Sequence, residues 1–234
     1  MGIATTYNYS IKYSAGTVLV YLPMNDAKPD KRPRKDTLAT RGHIVDAAEA
    51  LFAEHGVDNV TLLDIARAAG QSNRNAPQYH FGDKMGLINA VLNKHSDLIS
   101  VRRKAIMDAL AQKRAPTLRE LVDAYVLPVA WHVDSTENSL AYLLINCQLM
   151  TSGTFAELTA QRTGNYPEVR QLMKMINGLI NAENRTQREF KKQLIQTMVF
   201  HGLASFYSTG DTRHSKAFIE TLCSSVEAVL QVGS

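Results

Sequence analysis

Apolar residues recur with the period of an α-helix almost without interruption from Thr37 to the end of the chain. The first such stretch places five apolar residues on one helical face: Ile44, Ala47, Ala48, Leu51 and Phe52. Gly56 follows this stretch, at a point where helices commonly end on a left-handed residue. No segment after Thr37 shows the alternation expected of a strand. We therefore predict an all-α protein of about ten helices.

Capping residues and helix breakers give the expected boundaries of these helices. Thr61 precedes Asp64 by three residues, a spacing that resembles a capping box, and Thr117 precedes Glu120 by the same distance. Pro77 would break a helix interior but is tolerated in a first turn. The predicted helices span residues 38–55, 61–69, 75–81, 84–112, 117–133, 136–150, 154–161, 167–180, 184–208 and 214–231.

The composition is that of a folded protein, since hydrophobic residues make up 45% and charged residues 21% of the 234 residues. The longest apolar run, from Ala124 to Val133, is too short to cross a bilayer, so we expect no membrane segment. Cys147 and Cys223 cannot form a disulfide framework and lack zinc-site spacing, which favours the cytoplasm. The chain has no recognised catalytic or cofactor motif, and we predict no enzymatic activity, cofactor or bound metal.

Positive charge is concentrated in residues 28–41. This segment holds six Lys or Arg residues against two Asp residues, a net charge of +4 that equals the net charge of the whole chain. A short basic segment of this kind suits a polyanion such as the phosphate backbone of DNA. The alternative interpretation is a solvated linker that binds no partner.

Residues 1–23 differ in character from the rest of the chain. They are rich in Tyr, Thr and Ser, and the apolar run from Thr17 to Leu22 is β-prone. The run is too short for a signal-peptide core and no small-residue cleavage site follows it. We hypothesise that translation begins at Met24, which opens a hydrophilic stretch.

The predicted helices 61–69 and 75–81 have the spacing of a helix-turn-helix. Gly70, Gln71 and Ser72 form the short connection between them. In such a motif the first helix braces the second, and the second enters the major groove of DNA. A plain helical hairpin has the same spacing, but the adjacent basic segment favours the DNA-binding interpretation.

Two stretches of this region resemble the TetR family of bacterial transcriptional regulators. They are IVDAAEALFAEHGVDNVTLLDIARAAG, from Ile44 to Gly70, and YHFGDKMGL, from Tyr79 to Leu87. The resemblance covers about residues 37–95, and the segment between Gly70 and His80 is one residue longer than the common family pattern. It implies a flexible extension with a basic arm over 1–36, a helix-turn-helix DNA-binding domain over 37–95, and a helical ligand-binding and dimerisation domain over 96–234.

The resemblance also implies roles for individual residues toward double-stranded DNA. Thr61, His80 and Lys84 correspond to phosphate-contacting positions, although Thr61 also suits a helix cap and His80 a local hydrogen bond. The helix 75–81 carries the candidates for contacts with bases and backbone. The expected DNA-binding residues are Arg41, Thr61, Arg74, Asn75, Gln78, Tyr79, His80 and Lys84.

In the family, the C-terminal region binds a small-molecule effector and forms a homodimer. Large adaptable side chains with few charges around them suggest an apolar effector site lined by Trp131, Tyr142, Cys147, Met150, Phe155, Met173, Phe200 and His201. The last two helices supply the expected dimer interface, with Leu194, Met198, Phe206, Phe218, Leu222 and Val226. Ordinary core packing is the alternative interpretation of both sets.

Together these observations predict a homodimeric, ligand-responsive repressor that binds an inverted-repeat operator in the cytoplasm. The alternative from another class is an all-α protein-interaction module without specific DNA binding.

Overall fold

The computed structural model describes residues 9–13, 16–20, 35–113, 115–136, 138–152, 158 and 165–233. The chain divides into two compact units, Met1–Arg34 and Lys35–Ser234. In the first unit, strand β1 (Tyr9–Tyr13) pairs antiparallel with strand β2 (Gly16–Val20). Four of the five β2 residues belong to the β-prone run from Thr17 to Leu22, so a local propensity for strand is realised there.

The second unit is helical, as the sequence predicts, and its described residues contain no strand. Its helices are α1 (Lys35–His55), α2 (Leu62–Ala68), α3 (Ala76–Phe81), α4 (Lys84–Ala111), α5 (Leu118–Ser135), α6 (Ser139–Thr151), α7 (Pro167–Leu179), α8 (Arg185–Ser208) and α9 (Ser215–Gln231). The predicted boundaries of these helices agree to within three residues. The predicted helix 154–161 lies outside the described residues except for Leu158, which is helical and buried. Among the described helices, none is long and apolar enough to cross a membrane.

Side-chain caps explain why the helices begin where they do. The Thr61 hydroxyl accepts the Asp64 N–H at 3.2 Å, and the Asp64 carboxylate accepts the Thr61 N–H at 3.1 Å. Thr117 caps α5 in the same way. Asp83 caps α4 by accepting the Gly86 N–H at 2.7 Å. These bonds satisfy N–H groups that have no partner inside the helix.

The core of the second unit forms where α4 packs on α5, and α6 packs on α1 and α8. Helix α4 is continuous across residues 95 and 96, where the sequence suggested a division between DNA-binding and C-terminal domains. Both regions lie within the one unit that begins at Lys35. The long helix therefore joins the helix-turn-helix directly to the C-terminal bundle.

Pro128 lies inside α5 and removes a backbone donor from the helix. The Ala124 carbonyl, four residues earlier, therefore lacks its usual helical partner. Buried Arg103 on α4 supplies one, since its Nε–H donates to the Ala124 oxygen at 3.2 Å and its Nη2 to the Tyr125 oxygen at 3.4 Å. A side chain of α4 thus completes the hydrogen bonding of α5 at the proline.

The two cysteines are free thiols. Burial raises the pKa of Cys147 to about 11 and that of Cys223 to about 12. Both side chains therefore stay protonated and unreactive near neutral pH.

Candidate nucleic-acid interface

Helices α1 to α4 form a small apolar core that fixes the relative position of α2 and α3. Ile44 and Phe52 of α1, Ile65 of α2 and Leu87 of α4 are fully buried. Gly70, with φ +64, allows the chain to turn sharply after α2, and the Gln71 N–H closes the turn on the Ala66 carbonyl at 2.9 Å. The helix-turn-helix is therefore held by packing on both of its helices.

The residues expected to contact base edges are exposed on and just before α3. Arg74, Asn75, Gln78 and Tyr79 are all exposed, and Tyr79 reaches 82%. The other side of α3, which includes Pro77, is buried. A tyrosine this exposed contributes little to the core, so it is available for contact with a partner. The residues expected to contact base edges therefore share one surface.

The candidate phosphate-binding residues differ in how strongly their side chains are already bound to other groups of the protein. Exposed Thr61 is committed to capping, because its hydroxyl also donates to the Asp64 carboxylate at 2.5 Å. These hydrogen bonds from Thr61 lower the pKa of Asp64, whose negative charge opposes a phosphate at this helix end. Lys84 Nζ donates to the neutral Asp58 carbonyl at 3.3 Å, a bond that leaves its positive charge uncompensated. Lys84 is thus the better placed of the two.

Arg41 and His80 are joined at the end of α3. The Arg41 guanidinium donates to the His80 carbonyl and lies 4.3 Å from the centre of the Phe81 ring. A positive charge at a helix C-terminus is stabilising, as is a cation over an aromatic face. Half-buried Arg41 of α1 therefore stabilises the end of α3, a role that the sequence did not indicate.

The structure brings together two of the residues expected to line an effector site. The rings of Tyr142 on α6 and Phe200 on α8 lie 6.1 Å apart, and Tyr142 is buried. Trp131, Cys147, Met150 and Met173 are half-buried. His201 is exposed on α8, so it does not join them, and Phe155 lies outside the described residues.

The helices expected at a dimer interface carry both exposed and buried candidates. Leu194 is 48% exposed, and Phe206 stacks on Phe218 with ring centres 4.3 Å apart. Met198 is half-buried. By contrast, Leu222 and Val226 are buried within the single chain, so they contribute to its core and not to a contact face. Core residues and interface residues of a helix recur with the same period, so the sequence did not distinguish the two groups.

Phe190 is an exposed aromatic residue that the sequence analysis missed. It is 64% exposed on α8, one turn before Leu194, and extends the apolar part of that face. In the sequence it is flanked by Arg, Glu and Lys residues, so it did not stand out as part of an apolar face.

A chain of buried polar residues was also missed, and we call it the buried histidine network: Glu49 of α1, His95 of α4, His132 of α5 and Thr136 after α5. His95 Nδ1 lies 2.7 Å from His132 Nε2, and His95 Nε2 contacts the Glu49 carboxylate. Thr136 Oγ1 lies 3.4 Å from His132 Nδ1. Glu49 and both histidines are almost completely buried. The network connects α1 with the C-terminal helices.

Burial and neighbouring charges set the protonation of this network. Burial lowers the pKa of His132 to about 4, and nearby His95 and Arg102 act in the same direction. Burial raises the pKa of Glu49, but hydrogen bonds from His95 and Lys94 more than offset this and leave it below its usual value. Near neutral pH His132 is therefore neutral and Glu49 is ionised.

A second polar connection joins α6 to the end of α1. The Gln148 side chain accepts the Val57 N–H at 2.8 Å and donates to the Phe52 carbonyl at 3.1 Å. Both partners are backbone groups at or just after the end of α1, in the region expected to bind DNA. The glutamine amide therefore ties the C-terminal bundle to the segment that leads into α2.

A cleft of about 720 Å³ opens between α1 and α6 next to these connections. It is lined by Asp46, Glu49, Ala50, Ala53, Lys94, Asn138, Leu140, Ala141 and Leu144. The residues expected to line the effector site are not among them. Lys94 Nζ already pairs with Glu49 at 2.6 Å and Asp46 at 2.8 Å in this cleft. No group of three or more His, Cys, Asp or Glu residues in the described part of the chain is arranged to hold a metal ion.

Comparison with known proteins identifies the family that the helix-turn-helix region resembles. Residues 44–91 match the family described as bacterial regulatory proteins, tetR family. The HTH-type transcriptional regulator TtgR of Pseudomonas putida is 40% identical over 63 residues, 27% of this chain and 30% of TtgR. The HTH-type transcriptional repressor BepR of Brucella suis biovar 1 is 36% identical over 64 residues, 27% of this chain and 30% of BepR. The chain spans 28% to 40% of the length of the curated relatives it matches. These matches confirm the resemblance of this region to the TetR family.

Solved structures extend the likeness to the C-terminal region. NalD of Pseudomonas aeruginosa, the secondary repressor of the MexAB-OprM multidrug efflux pump, has 22% identity and a TM-score of 0.52, covering 80% of this chain and 95% of NalD. A TetR family transcription regulator from Marinobacter aquaeolei has 16% identity and a TM-score of 0.52, covering 85% of this chain and 98% of that chain. At these identities the likeness shows the fold, and it confirms the all-α prediction.

Proposed function

We propose that this chain, whose residues 44–91 belong to the tetR family of bacterial regulatory proteins, is a homodimeric transcriptional repressor that a small-molecule effector releases from DNA. The observation that carries the proposal is the exposed surface of α3, where Arg74, Asn75 and Gln78 lie together on a well-packed helix-turn-helix. In the major groove, Arg pairs with guanine and Asn or Gln with adenine, each good pair discriminating by about 1–3 kcal/mol.

Contacts with the phosphate backbone would add affinity that does not depend on sequence. Lys84 lies at the start of α4, close to the recognition helix, and its charge is not neutralised by its bond to the Asp58 carbonyl. The basic segment 28–41 precedes and enters α1, and its net charge of +4 equals the net charge of the whole chain. Each such contact releases counterions, so binding would weaken as salt rises.

Two copies of the chain would present two recognition helices to an inverted repeat. The exposed apolar residues of α8, Phe190 and Leu194, support α8 and α9 as the contact face between copies. Half-buried Phe206 and Phe218 stack between these two helices and give the face a rigid aromatic centre. A dimer would gain affinity and specificity together, because a single helix-turn-helix covers few base pairs.

The effector site would lie among the C-terminal helices, near the buried Tyr142 and the Phe200 ring that faces it. The candidate residues there are aromatic, Met and Cys side chains, which favour an apolar effector. BepR is named as a repressor, and NalD as a repressor of a multidrug efflux pump, which supports repression as the sign of regulation. We place the activity in the cytoplasm, where the DNA lies.

Selection of bound sequences from a random duplex DNA pool by the purified protein, at two salt concentrations, tests this proposal. We expect an inverted repeat whose half-sites are separated by about one helical turn and which is bound more weakly at higher salt. Enrichment of no sequence at either salt would contradict specific DNA binding and favour an all-α protein-interaction module.

A further inference from the structure

The cleft between α1 and α6 is lined on both of these helices by small side chains. Ala50 and Ala53 lie one turn apart on α1, and Ala141 lines the cleft from α6. Alanine side chains are too short to fill the space between two neighbouring helices, so a gap is left at this place. The volume of about 720 Å³ lies within the range of about 300–1,000 Å³ that is typical of small-molecule sites.

The α6 side of the cleft can receive the apolar part of a ligand. Leu140 and Leu144 lie one turn apart on α6, and both are half-buried. Covering this hydrocarbon surface with an apolar group would remove water from both. Exposed Asn138, which precedes α6, also lines the cleft, and its side chain makes no capping bond to the helix. Its amide oxygen is therefore available to accept a hydrogen bond from a ligand.

The ionisable side chains that line the cleft carry a net negative charge. Lys94 is the one cation among the described lining residues, and it serves two carboxylates, with Nζ 2.6 Å from Glu49 and 2.8 Å from Asp46. The Glu49 side chain is only 4% exposed, whereas that of Asp46 is 63% exposed. The Asp46 carboxylate, which shares its lysine, is thus the group open to a further cation. An anion would have to displace a carboxylate from Lys94 and would then face two negative charges.

We propose that this cleft is a binding site for an organic monocation, an amine whose ammonium group pairs with Asp46 and whose apolar body packs on Leu140 and Leu144. The site is distinct from the expected effector site, because none of the residues expected there lines the cleft. A bound amine would fill the gap between the two helices that the Gln148 amide joins. Binding in the cleft requires neither DNA nor a second copy of the chain, so it does not rest on the proposed function.

Calorimetric titration of the full chain with three probes of similar shape tests the charge of the ligand. The probes are the cation 2-(1-naphthyl)ethylammonium, the neutral 2-(1-naphthyl)ethanol and the anion 1-naphthylacetate. At about pH 8 the amine and the carboxyl groups are ionised. We expect the amine to bind about fivefold more tightly than the alcohol, and the anion to bind more weakly than the alcohol. Equal affinities, a preference for the anion or no binding of the amine would overturn the proposal.

The Asp46→Asn variant tests the partner of the ammonium group. We expect its affinity for the amine to fall about fivefold, to the level of the alcohol, while its affinity for the alcohol stays the same. Asp108→Asn is the matched control, because Asp108 is also paired with a lysine and its side chain is 64% exposed. An equal loss of amine affinity in both variants would assign the preference to the overall charge of the protein and overturn the role of Asp46.

The Ala50→Arg variant tests the location of the site. It places a cation of the chain itself four residues after Asp46, a spacing that forms ion pairs on a helix, and its long side chain covers the apolar surface of the cleft. Affinity for the amine should fall about tenfold or more, and affinity for the alcohol should also fall. Ala111→Arg adds the same charge at the exposed end of α4, outside the cleft, and should bind both probes as the wild type does. Unchanged binding by Ala50→Arg would place the amine at another site and overturn the proposal.

Discussion

Arg103 on α4 supplies the hydrogen-bond donor that Pro128 removes from α5. Its guanidinium reaches the Ala124 carbonyl, four residues before the proline, and also the Tyr125 carbonyl. Proline inside a helix usually leaves a carbonyl without a partner and bends the helix. Here the long helix α4, which follows α3 in the chain, restores the bond, so α5 depends on α4 for its hydrogen bonding at the proline.

Replacement of Arg103 by Met should therefore destabilise the protein by about 2–4 kcal/mol, because it leaves the Ala124 carbonyl without a partner and removes a buried side chain that packs between α4 and α5. The Pro128→Ala variant restores the backbone N–H, so the same Arg103→Met change should cost about 1 kcal/mol less in that background. Urea unfolding of the wild type, both single variants and the double variant measures this difference. Strictly additive effects would show that the two residues act independently.

Global stability should depend on pH through His132. The folded-state pKa of about 4 lies below the ordinary value of 6.5, so between these values the unfolded chain binds a proton that the folded chain does not. Stability is therefore present above pH 6.5 and is lost as the pH falls toward 4, by about 2 kcal/mol between pH 7 and pH 5. Urea midpoints of wild type and His132→Gln at the two pH values give the measurement. The variant should lose less stability than the wild type, and an equal loss would assign the effect to other groups.

Lys84→Ala should weaken binding to every DNA sequence and reduce the slope of log affinity against log salt by about one. Lys104→Ala is the matched control, because Lys104 lies on the same helix but is paired with Asp108 at 2.5 Å. Anisotropy titrations at several salt concentrations compare the two. A change of equal size in both variants would indicate a general charge effect and not a specific phosphate contact.

Gln78→Ala should change the preference between DNA sequences, with a cost of about 1–3 kcal/mol confined to one base-pair position in each half-site. Binding to a panel of single-base operator variants measures this. Uniform weakening across the panel would instead make Gln78 a backbone contact.

Leu194→Glu should convert the proposed dimer to a monomer, because it places a charge on the exposed apolar face of α8. Leu98→Glu is the control, since Leu98 on α4 is 52% exposed and lies outside the proposed interface. Sedimentation of both variants and the wild type at equal concentration reports their mass. A monomeric Leu98→Glu variant, or a dimeric Leu194→Glu variant, would contradict this placement.

The sequence predicted the helices well because their boundaries depend on neighbouring residues. Thr61 and Asp64 lie three positions apart, and their mutual bonds form wherever the rest of the chain goes. The predicted helix 117–133 also passed through Pro128, but its partner Arg103 is distant in sequence and was not foreseen.

The buried histidine network could not be predicted for the same reason. Glu49 and His95 are 46 residues apart and His95 and His132 are 37 apart, and they meet only because three helices cross at one place. A histidine within an apolar run, such as His132, was a sign of a buried polar contact, but it did not identify the partner. The surface of α3 was easier to foresee, because the family resemblance indicated which helix would carry the contacts with DNA.

The Gln148 contact has a consequence for exchanging parts between proteins of this fold. Since the Gln148 side chain bonds to backbone groups at Phe52 and Val57, this attachment depends on the backbone geometry there and not on the identity of the two side chains. A foreign DNA-binding region that ends its first helix with the same backbone geometry would meet the same glutamine. Chimeric proteins could therefore be built by grafting at this junction, with the proposed specificity for DNA taken from one parent and the proposed specificity for an effector from the other.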